Sequence, residues 1–198
     1  MNYPLRCSCG SIAGYLRWPR RAGRALCYCR DCQAFARYLG TAERVLNEFG
    51  GTDVIASSPR YVCFTHGLER LRCMSLSEKG LLRWYAACCR TPVANTPRNP
   101  KLSYVGLVHN FLAGTQSDLR DAFGPARAAV NTQSATGSVS PTPVATLLAV
   151  QKILRNVVWS RMSGKYRENP FFRPGSATPI VTPEVLSPAL RRALRGGA

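Results

Sequence analysis

Cys27-Tyr28-Cys29-Arg30-Asp31-Cys32 sets three thiols within six residues, with two charged side chains between them. Buried cysteines ordinarily act as small hydrophobes scattered through a core, and a core has no use for Arg30 and Asp31 inside such a cluster. A C-x-C pair puts two sulfurs on one side of an extended turn, and a C-x-x-C step lets a tight turn close on one ion. Thiolate is a soft ligand, bound by Zn²⁺ at about 2.3 Å. Working outward, Cys7-Ser8-Cys9-Gly10 repeats the C-x-C spacing upstream, and Cys88-Cys89 stands just before Thr91-Pro92 downstream. The clusters therefore predict metal binding. An iron–sulfur cluster on the same thiolates stays open at this point.

The remaining two cysteines, Cys63 and Cys73, fall in β-like stretches and read as core residues. A disulfide framework is disfavoured: the cysteine count of 9 is odd, and 198 residues can build a core without staples. Met1–Arg6 has no apolar stretch, so no secretory leader is expected. The longest apolar run, near Val144–Val150, is far too short to span a bilayer. Together with reduced thiols, these features predict a soluble, cytoplasmic protein.

The chain carries 27 basic and 10 acidic residues, a formal charge of +17. Metal-bound thiolates would lower this value and leave the chain strongly basic, which favours anionic partners and makes non-specific nucleic-acid binding one candidate. No C₂H₂ spacing or aromatic-rich recognition motif is present, so sequence-specific readout is not expected. Of the basic residues, 23 are Arg and 4 are Lys. That skew weakens any contact assigned to an individual arginine.

Residues 1–110 read as the metal-bearing part. Val54-Ile55-Ala56, Tyr61–Thr65, Leu68–Met74 and Leu81–Ala87 are short extended runs, rich in β-branched and aromatic residues. Gly50-Gly51, Ser57-Ser58-Pro59, Gly67 and Lys79-Gly80 punctuate them, which predicts mainly β, antiparallel structure. A short helix fits within 33–49. Residues 111–198 read as an extension: a polar linker at 131–143, a helix, and a proline-rich tail from Gly164 expected to run extended over the surface. Thr142 suits an N-cap with Pro143 at the first helical position. Val144, Leu147, Leu148, Leu154, Val157 and Val158 form a stripe at helical spacing, with Lys152, Arg155 and Arg161 off it. This basic amphipathic helix of roughly five turns is expected to dock its stripe on the β domain; a membrane-surface or partner-binding role is the alternative.

The order C-x-C, C-x-C-x-x-C and a late knuckle before Thr-Pro resembles the glutathione-dependent formaldehyde-activating enzyme family, shared with centromere protein V. The resemblance covers roughly residues 5–96. It is carried by Cys7-Ser8-Cys9-Gly10-Ser11-Ile12, Pro19, Cys27–Cys32 and Arg83-Trp84-Tyr85-Ala86-Ala87-Cys88-Cys89-Arg90-Thr91-Pro92. It implies an antiparallel β-tent with two Zn²⁺ ions. By that pattern Cys7 and Cys9 join the late knuckle in a structural site. Cys27, Cys29 and Cys32 hold the second ion with three protein ligands, leaving a position where the sulfur of glutathione or another small thiol binds. The implied reaction makes or breaks a carbon–sulfur bond between glutathione and formaldehyde, a lyase-like activity. Binding of glutathione through its carboxylates would fall to arginines such as Arg17, Arg20, Arg21, Arg24, Arg30 and Arg37. Tyr28 and Asp31 are either proton donors or plain turn residues, and His66 and His109 read as structural or surface residues.

This chain departs from the family pattern at three places. Ala86 replaces the first knuckle cysteine, Arg90 the knuckle glycine, and Tyr28 a frequent histidine. Cys88 is the expected fourth ligand beside Cys89, with Cys73, Cys63 or water as the alternatives. Adjacent residues on a strand face opposite ways, so Cys88 and Cys89 can share an ion only if the backbone turns between them. No catalytic residue is assigned. A non-catalytic zinc module serving nucleic-acid or protein binding remains the competing reading.

Overall fold

The computed structural model describes residues 2–196; Met1, Gly197 and Ala198, at the outer ends of the two expected segments, lie outside it. The chain opens with β1 (Asn2–Arg6), β2 (Ala13–Arg17) and β3 (Gly23–Cys27), then α1 (Arg30–Tyr38) and α2 (Ala42–Val45). Six strands follow: β4 (Thr52–Ser57), β5 (Val62–His66), β6 (Leu71–Ser75), β7 (Leu82–Ala86), β8 (Pro92–Thr96) and β9 (Val105–Val108). The last part comprises α3 (Gln116–Phe123), β10 (Ala128–Val130), α4 (Pro143–Met162), β11 (Glu184–Val185) and α5 (Pro188–Gly196).

The strands form two sheets. One has three strands in the order β1-β2-β5; the other has eight, in the order β10-β3-β4-β9-β8-β7-β6-β11. All pairings are antiparallel except the two outermost of the larger sheet, where β10 runs parallel to β3 and β11 parallel to β6. The antiparallel expectation for the early runs is met, with helices added around the sheets. In β1 the alternation is plain: Tyr3 and Leu5 are buried while Asn2, Pro4 and Arg6 face out. Strands β7, β8 and β9 are buried along their whole length, as central strands covered on both faces must be. Gly14 on β2 allows β5 to approach closely, since a Cβ there would lie 2.1 Å from the Cys63 carbonyl oxygen.

Residues after 110 supply both edge strands of the larger sheet, β10 and β11. The tail departs from the extended surface course expected of it. Phe171 is wholly buried, its ring 5.1 Å from that of Trp84 and edge-on to Phe64 at 5.7 Å. Two aromatic anchors, Phe171 and Phe172, outweigh the prolines around them by the apolar area they bury.

The stripe on α4 also departs from its expected docking. Val144, Leu147, Leu148, Leu154 and Val158 are all more than half exposed, and only Val157 of the predicted set is half-buried. The helix instead turns Thr146, Ala149, Ile153 and Ser160 toward the body. Apolar residues occupy both sides of α4, so periodicity alone did not distinguish the inward face. No helix among the described residues is long and apolar enough to cross a membrane.

Candidate metal centres

Two groups of sulfurs come together, each within 4.8 Å of one another: Cys7, Cys9, Cys88 and Cys89 in one, Cys27, Cys29 and Cys32 in the other. All nine cysteines are free thiols. Cys63 and Cys73 join neither group; Cys73 is buried among the core side chains.

The four-sulfur group joins two turns that are 81 residues apart in the chain. After β1, Cys7 N–H donates to the Ile12 carbonyl at 3.0 Å, and Gly10 N–H to the Cys7 carbonyl at 2.9 Å, closing the first turn at Gly10 with φ 78°. After β7, Ala87–Cys89 form a turn in which Arg90 N–H returns to the Ala86 carbonyl at 2.9 Å. This turn brings Cys88 and Cys89 onto one side, with their sulfurs 3.8 Å apart. Arg90, standing where the resembling family has glycine, takes up the left-handed conformation at φ 59°. Thr91 Oγ1 ties the turns together by accepting from Ser8 N–H at 3.0 Å. The Cys7–Cys9, Cys7–Cys88 and Cys9–Cys88 sulfur separations are 3.6, 3.9 and 3.2 Å. Sulfurs on one tetrahedral ion at about 2.3 Å lie about 3.8 Å apart, so the group needs only small adjustment to enclose one.

The three-sulfur group is built at the start of α1. Cys27 ends β3, Cys29 is the N-cap of α1, and Cys32 lies in its first turn. Cys29 Sγ accepts from Cys32 N–H at 3.3 Å, a donor shared with the Cys29 carbonyl at 3.0 Å. Cys27 and Cys32 sulfurs are 3.8 Å apart. Asn131 Nδ2 donates to Cys27 Sγ at 3.6 Å, and an Arg83 N–H donates to Cys32 Sγ at 3.9 Å.

Arg83 is only 2% exposed. Its other contacts are Asn95 Oδ1 at 3.0 Å and the face of Phe35 at 5.4 Å, and among the described residues no carboxylate lies within ion-pair distance of it. A buried cation without an acidic partner is costly unless a negative group faces it. A divalent ion on three thiolates carries one net negative charge, so the donor set and Arg83 together are neutral. The residues present therefore fit a bound metal.

The ionisation of the thiols fits the same account. Neighbouring Cys29 holds the Cys27 thiol up; Cys27 and Cys29 together hold Cys32 up. Cys29 itself is driven far down by hydrogen bonds from Cys27 and Cys32, against its burial, with help from Cys32 N–H and Arg83. In the other group burial raises Cys7, and burial with Cys9 and Cys89 nearby pushes Cys88 up to about 12. Burial opposes ionisation of Cys89 as well, but hydrogen bonds from Ser8 and Thr91 bring it down to about 5. Some thiols in each group ionise at the expense of the others, and a cation is what lets all ionise together.

The residues singled out between the clusters mostly serve the fold. Tyr28 is buried, its hydroxyl accepting from Asn47 Nδ2 at 3.3 Å and its ring lying against Gly51. Asp31 pairs with Arg195 of α5, and Arg37 donates to the Leu194 carbonyl. Arg24 makes a buried ion pair with Asp53 at 2.6 Å and Arg17 donates to the Arg60 carbonyl. Arg20 and Arg21 line an open cleft with Arg60, Lys152 and Arg155, and Arg30 is exposed. His66 Nε2 lies 3.2 Å from the Gly10 carbonyl, at the edge of the first turn. His109 is largely buried, with Nδ1 unpartnered among the described residues.

Three features had no signal in the spacing of the cysteines. A cavity of about 290 Å³ opens beside Cys27, Cys29 and Cys32. Tyr104 and Asn95 line it, and α4 contributes residues from more than a hundred positions further along the chain. Burial, and then the charges of Cys27, Cys32 and Cys29, hold the Tyr104 hydroxyl above the usual tyrosine range, so it remains a proton donor.

No curated protein matches the chain. A crystal structure of a Rhodobacter sphaeroides protein is similar at 19% identity and a TM-score of 0.40, over 59% of this chain and 94% of that one. The model of a family described only as a family of unknown function, DUF6151, matches residues 1–182, and the chain belongs to that family.

Proposed function

We propose that this is a two-zinc protein whose sites do different work. Cys7, Cys9, Cys88 and Cys89 close a structural site; Cys27, Cys29 and Cys32 form a site with one position left for an incoming thiol. The single observation that carries this reading is the asymmetry of the donors: four sulfurs gather in one group, whereas the other has three, all of them lining a cavity of about 290 Å³. Closed four-thiolate sites hold folds together, whereas sites with three protein ligands are the ones that bind substrate. Zinc in the second site would supply Lewis acidity and favour the thiolate form of a bound thiol.

The chain's own residues then have definite tasks. Arg83, held by Asn95, balances the charge of the donor set. Asn131 fixes Cys27, and the helix N-terminus fixes Cys29. The Tyr104 hydroxyl, without a hydrogen-bond partner among the described residues, is the donor available to an oxygen in the cavity. The chemistry best suited to this set is reversible addition of a thiol to an aldehyde. The carbon–sulfur bond forms, and the thiol proton ends on the former carbonyl oxygen; cleavage is the reverse. This is the lyase-like reaction that the family resemblance implies for glutathione and formaldehyde.

The test is exchange spectroscopy on zinc-loaded protein with a thiol and formaldehyde, following the hydroxymethyl adduct by NMR. Faster exchange than in buffer, lost in Tyr104→Phe with metal content unchanged, supports the reading. An unchanged exchange rate sinks the enzymatic part of it.

A second reading has its own observation. Arg20, Arg21, Arg60, Lys152 and Arg155 line one cleft without an acidic neighbour in it. Phosphates of a nucleic acid would satisfy such a cleft without sequence preference. Binding that stays flat as salt rises from low to moderate concentration contradicts it.

A further inference from the structure

The cavity beside Cys27, Cys29 and Cys32 has walls that suit one class of thiol better than another. Val54, Leu81, Val130, Ala149, Val150 and Ile153 give it an aliphatic lining, half of it from α4. Leu81 and Val150 remain 43% and 44% exposed at this position, so apolar surface is left uncovered. Uncharged polar side chains, among them Asn95, Tyr104, Asn131 and Asn156, also line it, but each of its three cations already has a partner within the protein. Arg24 is bound by Asp53 and Gln116, Arg83 by Asn95, and Lys152 Nζ donates to the Ala22 carbonyl at 2.9 Å. Glutathione brings two carboxylates and an ammonium group, and burying them here would leave charges without partners. A hydrocarbon chain meets no such cost.

We propose that the cavity receives the hydrocarbon body of an alkyl thiol, with its sulfur at Cys27, Cys29 and Cys32, in preference to glutathione. The inference rests on the open metal site described above and names the substrate class for it. In it α4 is the wall that selects substrate: Ala149, Val150 and Ile153 contact the chain while the cysteines hold the sulfur end. The size of the cavity, at the lower end of ligand pockets, suits a short chain.

Calorimetric titration of the zinc-loaded full chain with 2-mercaptoethanol, 4-mercaptobutanol, 6-mercaptohexanol and glutathione tests this without any variant. Each buried methylene is worth up to about fourfold in affinity, so binding should tighten at least roughly tenfold from two to six carbons. Glutathione should bind more weakly than 6-mercaptohexanol. Ala149→Phe, which fills the cavity, should return 6-mercaptohexanol to the level of 2-mercaptoethanol while zinc content stays unchanged. If 2-mercaptoethanol binds but affinity is flat across the series, or glutathione binds as well as the longest member, the alkyl proposal is overturned and the open site stands. If chain length matters but Ala149→Phe does not, the hydrocarbon lies elsewhere and the proposal is equally overturned. If no thiol binds at all, the open-site reading fails and this proposal with it.

Discussion

Replacing Arg83 with methionine should weaken metal binding and spare the apoprotein. Arg83 lies 3.9 Å from Cys32 Sγ and is 2% exposed, with no carboxylate among the described residues to neutralise it. At an effective dielectric constant near 20, a charge pair at that separation gains about 4 kcal/mol. Hydrogen bonds to charged groups give net contributions of about 1.5–3 kcal/mol. Bracketing the two, Arg83→Met should lower metal affinity at the three-cysteine site by about 2–4 kcal/mol, roughly 30- to 1,000-fold. Without metal the thiols facing Arg83 are partly protonated, and the guanidinium is then a buried charge poorly compensated. Methionine fills similar space without that cost, so apoprotein stability should hold or rise. Competition with a chromophoric chelator measures the affinity, and urea unfolding of the apoprotein measures the stability. Arg83→Met with metal affinity within threefold of the parent, or with a badly destabilised apoprotein, refutes the charge-balance reasoning.

Further outcomes follow from other parts of the structure. Cys88→Ser and Cys29→Ser should each reduce bound zinc from two ions to one, whereas Cys63→Ser and Cys73→Ala leave it at two, measured by elemental analysis. Arg90→Gly relieves a left-handed residue, worth about 1 kcal/mol. It forfeits a cation–π contact on Tyr38 of about 0.5 kcal/mol and a hydrogen bond to the Tyr38 carbonyl of about 1 kcal/mol, so stability should stay within about 1 kcal/mol of the parent, while the β-branched Arg90→Val should lower it by more than about 1 kcal/mol in urea unfolding. Asp53→Ala leaves Arg24 buried without its counter-ion and should cost about 3–5 kcal/mol, much of it recovered in Arg24→Met/Asp53→Leu. His109 is held below the usual imidazole range, chiefly by burial and partly offset by Asp53. The unfolded chain therefore binds a proton more readily, and stability should fall as pH drops through the ordinary value of 6.5 toward the lower folded-state value. His109→Gln should remove that part of the pH dependence.

The grouping of the cysteines was legible where it is local. Three cysteines in six residues reach one another through a single turn, whereas the helix expected within 33–49 begins earlier, at Arg30, which makes Cys29 its N-cap. The strands near 54, 62, 71 and 82 were legible from β-branched and aromatic runs between glycine and proline signals. What the spacing could not give depends on contacts distant in sequence. Arg83 lies within the motif that carries the resemblance, yet nothing local says it turns inward toward Cys32. Tyr104 and the α4 wall reach the cavity only through the order of strands in the large sheet. The stripe of Val144, Leu147, Leu148, Leu154 and Val158 shows a further limit: when both helix faces are apolar, periodicity does not decide which is buried. Phe171 and Phe172 were hidden in a proline-rich stretch whose composition suggests an extended tail, though two aromatics suffice to anchor it in the core.

The central claim is that one metal site is closed and the other open. X-ray absorption at the zinc edge, on reduced protein with and without 2-mercaptoethanol, tests it most directly. Four sulfurs in one group and three in the other predict about 3.5 sulfurs per zinc on average, rising to about 4 when the thiol is added. Two zincs already saturated with protein ligands, with a spectrum that ignores the thiol, would contradict the account and leave both ions as structural supports.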